Sequence, residues 1–399
     1  MHLLKITVPC MKKIKVLFQS RVDIYDRRGG DTVQLDETKA ALEKLGVLVD
    51  ITSKLKPDVS KYDLVHVFNL DWVCEPYIQI KNAKTQGKPV VLSPIHHSLA
   101  EFKRYEQEYR YGLAKVGNYL VPFQPLRDVF RNILKGLFYP QKLLPAILQL
   151  FMGIRRQQKL SIQLADYILV QTNKESQDLK MSYGVKDFKW AKVVNGVNAD
   201  KFTTKNLNEA KKIVDYKKYI ICVGRIEPRK NQISLIKALI SLKANDPNFK
   251  DVGLLFAGSY NSHHPTYINQ FKKLVEKHAF VKHLGFLDQK VLSGILTNST
   301  VFACPSWFET TGLVYLEAVV SGVKSLVASG ERAKEYLGEN AFYCDPGNLQ
   351  SISRSLQLAF KKPSVKKGFK GYVLKNYTWD TAAKQTLDIY KKVLNISDN

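Results

Sequence analysis

The sequence predicts an α/β protein made of two doubly wound domains of similar size, and three observations carry that prediction. The chain has 399 residues, well beyond the roughly 150 of one ordinary domain. Short β-branched runs alternate with segments of helical period, the pattern of parallel βαβ units. The strand candidates are apolar nearly throughout, as strands covered by helices on both faces must be. Composition agrees, since 45% apolar and 24% charged residues exclude a disordered chain, a collagen-like repeat and a disulfide scaffold.

The first strand candidate is IKVLFQS (14–20). A Gly29-Gly30 loop follows, then a helix with Leu35, Thr38, Leu42 and Leu45 on one face, stopped by Gly46. VLVDI (47–51), DLVHVF (63–68), PVVLSP (89–94) and DYILVQT (166–172) continue as strands. A second series begins after the Asn195-Gly196 turn and the Lys-rich stretch from Lys201 to Lys218. Its strands are YIICVGR (219–225), VGLLFAG (252–258), STVFACPS (299–306) and VKSLVAS (323–329), with a helix over 231–242. The expected domains are therefore 1–203 and 204–376, with a closing hinge near 195–218. The remaining 377–399, containing YTWDTAAKQTLDIYKKVL, is expected to return as a helix to the first domain.

Charge is the unusual feature. Lys and Arg number 61 against 36 Asp and Glu, a net charge of +25, which favours anionic partners: nucleic acid, phosphorylated metabolites or an acidic membrane. An insertion at about 101–160 holds 11 Lys and Arg against 4 Asp and Glu. Within it, Leu126 to Arg156 mixes basic residues with Leu, Phe and Ile at helical spacing, divided by Pro140 and Pro145. Two readings stand: helices packed on the sheet with their cations in water, or a surface that dips apolar side chains among acidic headgroups. Five scattered cysteines, with no C-x-x-C pair, fit a reducing cytoplasm. No apolar run reaches the roughly 18 residues of a membrane span, and Met11, followed by Lys12 and Lys13, offers a second start.

The chemistry concentrates in PSWFETTGLVYLEAVVSG (305–322). A strand ends near Cys304, a loop carries Glu309, and Gly312 opens a helix whose core face is Leu313, Leu316 and Val320. The first-turn N–H groups, with the positive end of the helix dipole, make a phosphate site at the carboxyl edge of the sheet. Glu317 can accept two hydroxyl hydrogen bonds from a ribose diol, and Glu309 can project over the other end of the same ligand. The spacing suits a nucleotide diphosphate carrying a sugar. VGRIEPRKN (223–231) follows the first strand of the same domain, and there Arg225 and Lys230 flank a turn that can aim both cations at the crevice. Fixed cations of this kind stabilise a departing diphosphate. Arg229 is a substitute for either.

Glu309-x7-Glu317 within FETTGLVYLEA, the GRIEPRKN loop, VVNGVNADKF (193–202) and EYLGENAFYCDPGN (335–348) together resemble retaining family-4 glycosyltransferases, group 1, of the GT-B fold. The resemblance is strong over 190–350 and looser before it. It implies two Rossmann-like domains facing across a cleft and a nucleotide-sugar co-substrate, with no cofactor and no metal. It implies further that Glu309 contacts the donor sugar, Glu317 binds ribose, and Arg225 and Lys230 hold the phosphates. Gly29 and Gly30 match the glycine-rich turn lying against the diphosphate, although RRGGD is also simply a good turn. Backbone near Gly285 and Phe286 matches the base contact. His96 and His97 fall where the family places a cleft histidine, and His96 is preferred. Thr311 stands where an aromatic residue is more usual, which alters the shape around the donor sugar.

The leading reading is a cytoplasmic-face transferase that moves a sugar from a UDP- or GDP-linked donor to a glycan or lipid-linked acceptor in polysaccharide or lipopolysaccharide synthesis. Peripheral contact with an acidic membrane accompanies it. One rival is a GT-B enzyme with a soluble acceptor, or a nucleotide-sugar epimerase. A non-catalytic nucleic-acid-binding protein is the other, supported by charge alone.

Overall fold

A computed structural model describes residues 13–26, 28–71, 75–108, 140, 143–198, 200, 202 and 207–396. Most of the Leu126–Arg156 segment, and Met11 with the residues before it, lie outside them. The first sheet contains β1 (Lys15–Gln19), β2 (Leu48–Thr52), β3 (Leu64–Phe68), β4 (Val90–Ser93), β5 (Tyr167–Val170) and β6 (Trp190–Lys192), all parallel, in the order β2-β1-β3-β4-β5-β6. The second contains β7 (Lys218–Val223), β8 (Val252–Ala257), β9 (Val281–His283), β10 (Val301–Ala303), β11 (Leu326–Ala328) and β12 (Phe342–Tyr343), also parallel, in the order β12-β11-β10-β7-β8-β9. Around the first sheet lie α1 (Gly30–Lys44), α2 (Glu75–Thr85), α3 (Leu99–Glu108), α4 (Leu143–Met152), α5 (Ile154–Leu164) and α6 (Asn173–Tyr183). A short α7 (Leu207–Ile213) precedes the second sheet. With that sheet go α8 (Gln232–Asn245), α9 (Pro265–Lys277), α10 (Gln289–Asn298), α11 (Leu313–Ser321), α12 (Glu331–Leu337), α13 (Leu349–Lys361) and α14 (Phe369–Asn376), and α15 (Trp379–Val393) ends the series.

Interior strands β3, β4 and β8 are buried along their whole length, which is why they read as unbroken apolar runs. Edge strand β2 differs: its burial alternates, and Leu48 is 45% exposed because no neighbour covers that side. Leu45, expected on the core face of α1, caps its C-terminus and is exposed. Edge strands β6, β9 and β12 escape the sequence pattern because WAK, VKH and FY are too short or too polar to show it.

Helix α15 belongs to the first core. Trp379, Ala383 and Tyr390 pack with Phe18, Leu35, Leu42 and Phe68, and the Tyr390 hydroxyl lies 2.6 Å from Nδ1 of the buried His66. Desolvation pushes that imidazole down to about 3, so it is neutral. The two crossings between the halves touch: the Val197 N–H donates to the Tyr377 carbonyl at 2.9 Å.

Candidate functional site

In the second sheet the strand order reverses between β7 and β10, and the loops leaving these strands, 224–231 and 304–312, open side by side at the carboxyl edge. Open α/β sheets bind ligands at such a point. The loops are stitched together. The Trp307 N–H donates to the Arg229 carbonyl at 2.8 Å, and Asn231 Nδ2 donates to the carbonyls of Pro305 (3.1 Å) and Pro346 (2.8 Å). In the first sheet the order reverses between β1 and β3, and the loops after β1, β3 and β4 carry Gly29, Asp71 and the two histidines. The two crevices face each other: an Arg225 guanidinium nitrogen lies 3.9 Å from where a Cβ on Gly29 would stand.

Glu309 is the centre of an ionic cluster. Lys230 Nζ donates to its Oε1 at 2.5 Å and Arg229 Nη1 to its Oε2 at 3.2 Å. Arg229 Nη2 also donates to Glu227 Oε1 at 2.9 Å, and Asn261 Nδ2 donates to Glu227 Oε2 at 2.6 Å. Burial pushes the Glu309 carboxyl up, but Lys230 and Arg229 outweigh it and hold the group down to about 2. Glu227 sits at about 2 for the same reason, its burial offset by Arg229 and Arg225. Burial pulls the Lys230 ammonium down, and Glu309 more than restores it, so it ends above its ordinary value. Three cations against two carboxylates leave the cluster net positive beside the cleft.

The two expected cations sit in different settings. Arg225 is turned to the cleft, 43% exposed and only 3.8 Å from Glu227, whereas Lys230 is 9% exposed and already holds Glu309. Arg229 is the second cation on that carboxylate, and its guanidinium also stacks 5.6 Å over the Phe308 ring.

Gly312 caps α11 with φ 60°, and a Cβ there would lie 2.8 Å from the Tyr315 ring. Glycine is therefore required by the protein's own packing as well as by any ligand. Gly312→Ala should destabilise the fold by about 1–3 kcal/mol; an unchanged chemical-denaturation midpoint would refute this. Leu313, expected on the helix core face, is half-buried and packs against the N-terminal core. Glu317 lies half-buried in the second turn. Thr311 does not border the crevice through its side chain. It is 5% exposed, its Oγ1 accepting from Asn195 Nδ2 at 2.9 Å and donating to Gln171, so it shapes the domain interface. The Gly29 N–H donates to Thr32 Oγ1 at 3.1 Å, whereas Gly30 borders open space. The Gly285 carbonyl accepts from the Gly258 N–H at 2.7 Å, and Phe286 is 81% exposed.

The preference for His96 is reversed. Its ring is fully buried beside Tyr183, its Nδ1 bonded to Asp71. His97 is the half-open one, 32% exposed, with its ring edge-on to Phe308 at 5.1 Å. Three groups that sequence reasoning missed join the halves. Arg332 Nη2 donates to Asp178 at 2.7 Å and Nη1 to the His96 carbonyl. Glu335 accepts from the Asn173 and Lys174 N–H groups at 2.9 and 3.0 Å and from Lys192 at 2.7 Å. Phe102 and Tyr105 of α3 meet Trp307 and Phe308.

A family model described as "Glycosyl transferases group 1" matches residues 203–373, spanning both loops of the ionic cluster. That match covers 171 of the 399 residues. Curated proteins similar to this chain come from bacteria and from an archaeon. O-antigen chain mannosyltransferase B of Escherichia coli is 24% identical over 176 residues, 43% of this chain and 45% of that protein. A D-inositol 3-phosphate glycosyltransferase of Corynebacterium urealyticum is 25% identical over 395 residues, 92% of this chain and 91% of that one. The chain spans about half the length of the first curated relatives it matches. Among solved structures, sucrose-phosphate synthase from Thermosynechococcus elongatus superimposes with a TM-score of 0.71 at 15% identity, covering 96% of this chain and 100% of that one. Anabaena HepE in complex with UDP and glucose gives 0.65 at 14% identity, covering 95% and 99%. The fold of the chain is GT-B, two α/β domains across a cleft.

Proposed function

We propose that the protein is a retaining glycosyltransferase of family 4 that moves a sugar from a UDP- or GDP-linked donor to a glycan or lipid-linked acceptor in surface polysaccharide synthesis, at the cytoplasmic face of a membrane. The observation that carries this reading is the net-positive cluster of Arg225, Arg229 and Lys230 with Glu227 and Glu309, on the two loops at the carboxyl edge of the second sheet. In the proposed roles the α11 amides, Arg225 and Lys230 hold the diphosphate, with the turn at Gly29 and Gly30 against it. Lys230 has three N–H donors and keeps Glu309 with one of them. Glu309 takes donor-sugar hydroxyls and Glu317 the ribose diol. The bond from the anomeric carbon to the phosphate oxygen breaks, the acceptor oxygen bonds on the same face, and the acceptor proton passes to the departing phosphate. The chain positions the reactants and neutralises the leaving group, chemistry that calls on no metal.

Purified protein incubated with UDP- and GDP-sugars, with and without lipid extract, tests this. Nucleotide release that depends on lipid, with a product of unchanged anomeric configuration, is expected. Release without lipid would favour a soluble acceptor, and an inverted product would refute retention.

Helix α4 supports the membrane part. Leu143, Leu144, Ile147, Leu150 and Phe151 are 39%, 42%, 43%, 54% and 80% exposed, followed by the exposed Arg155 and Arg156 of α5. Apolar side chains flanked by cations suit an anionic bilayer surface. No helix among the described residues is long and apolar enough to cross a membrane. Leu150→Asp with Phe151→Asp should weaken partition onto anionic vesicles by at least about tenfold in a flotation assay. Unaltered partition would leave α4 without this role.

A further inference from the structure

Asp71 stands three residues beyond the end of β3, in a turn shaped by Asn69. Asn69 accepts from the Asp71 N–H at 3.2 Å through Oδ1 and donates to Asp31 at 3.2 Å through Nδ2. The carboxylate so presented meets both histidines that follow β4. It bonds His96 Nδ1, His97 Nδ1 at 2.7 Å and the His97 backbone N–H at 2.7 Å. Burial pushes this carboxyl up, yet the two imidazoles hold it well below the usual carboxylate range, so it is ionised and can only accept. Each Nδ1 must then carry a proton and donate it in a hydrogen bond to that carboxylate. The His96 segment is fixed on both sides: its N–H donates to Glu175 Oε1 at 2.7 Å and its carbonyl accepts from Arg332. His96 is thereby buried out of reach. The His97 ring reaches the seam between the domains and rests on Phe308, the residue before Glu309.

We propose that Asp71 is a positioning residue that locks His97 as its Nδ1–H tautomer and so presents Nε2 to the cleft as a hydrogen-bond acceptor for a hydroxyl of the bound sugar. The identity of that hydroxyl-bearing ligand rests on the transferase reading; the tautomer does not. Asparagine at position 71 has the shape of aspartate but an N–H₂ on one side. The oxygen that accepts from His97 Nδ1 also accepts from the His97 backbone N–H, so an asparagine keeps its oxygen there and turns its N–H₂ to His96. Asp71→Leu removes the acceptor altogether and frees the ring proton to pass to Nε2, turning the ring from acceptor to donor at the same place.

The test uses the whole chain with 15N-labelled histidine, the His97 signals being assigned by their loss in His97→Gln. Wild-type His97 should show a protonated Nδ1 and a bare Nε2; the opposite pattern overturns the proposal without any variant. Asp71→Asn should leave the His97 proton on Nδ1, and Asp71→Leu should let it move to Nε2. With UDP-glucose and GDP-mannose as donor probes, whichever donor the wild type uses should show turnover reduced in Asp71→Leu by about 10- to 100-fold, while affinity for the bare nucleoside diphosphate stays within about twofold. An unchanged His97 tautomer in Asp71→Leu, or a switched tautomer with full turnover, overturns the positioning role. If the wild type binds neither UDP- nor GDP-sugars, the transferase reading fails, and the ring measurement still decides the tautomer.

Discussion

Lys230→Ala is expected to lower turnover by about 10²–10³-fold and to cost the fold about 3 kcal/mol. Both losses come from one ammonium group. Lys230 is 9% exposed and Glu309 11%, and their ion pair is 2.5 Å long, so removal leaves a buried carboxylate with Arg229, at 3.2 Å, as its remaining ion-pair partner. A diphosphate leaving the cleft loses the cation nearest the sugar carboxylate, and Arg225, 43% exposed, is too well solvated to replace it. The pH dependence carries the same signature. Glu309 and Glu227 fold with carboxyl groups near 2, below the ordinary value near 4.3. Each therefore adds stability that is complete above the unfolded value and lost as pH falls from about 4.5 towards 2. In Lys230→Ala the Glu309 share shrinks, so the variant's stability should depend less on pH across that window. Turnover and denaturation midpoints at several pH values measure both effects; wild-type turnover in the variant would end the leaving-group argument.

The second large effect is expected at Arg332. It is 3% exposed, and from α12 it reaches Asp178 of α6 and the carbonyl of His96, so one side chain ties the second domain to two elements of the first. Arg332→Leu removes the charge but keeps apolar bulk, leaving Asp178 with Lys174 at 3.5 Å. The cost should be about 3 kcal/mol, and it should fall on the coupling between domains more than on either core. Calorimetry should show one cooperative transition in the wild type and two separated ones in the variant. A single, unshifted transition in Arg332→Leu would mean that the halves are held together by the aromatic contacts of α3 instead.

The buried interior of the fold was legible because physics leaves it little choice. Strands covered on both faces must be apolar, and LVHVF and VGLLFA declare themselves; WAK and VKH, lying at sheet edges, carry no such mark. The place of Glu309 and Gly312 in the fold was legible, both following a β-strand at the carboxyl edge of the sheet. Partners were not. Whether Lys230 faces a phosphate or a glutamate, and whether His96 or His97 meets the cleft, depends on turns such as that at Ile95, with φ 44°. Arg332 and Asp178 are 154 positions apart, and nothing local in either segment points to the other. Asp71 did carry a usable signal, an acidic residue just past a strand end, which was outweighed by the histidines it serves.

Tyr390 and Trp379 complete a core that begins with Val16, and this ordering matters during synthesis. A ribosome must deliver almost the entire polypeptide before the first sheet can be covered on its α1 side, so the nascent N-terminal half waits, partly open, while the second half emerges and closes on its own. Chaperone dependence should therefore concentrate on the half made first.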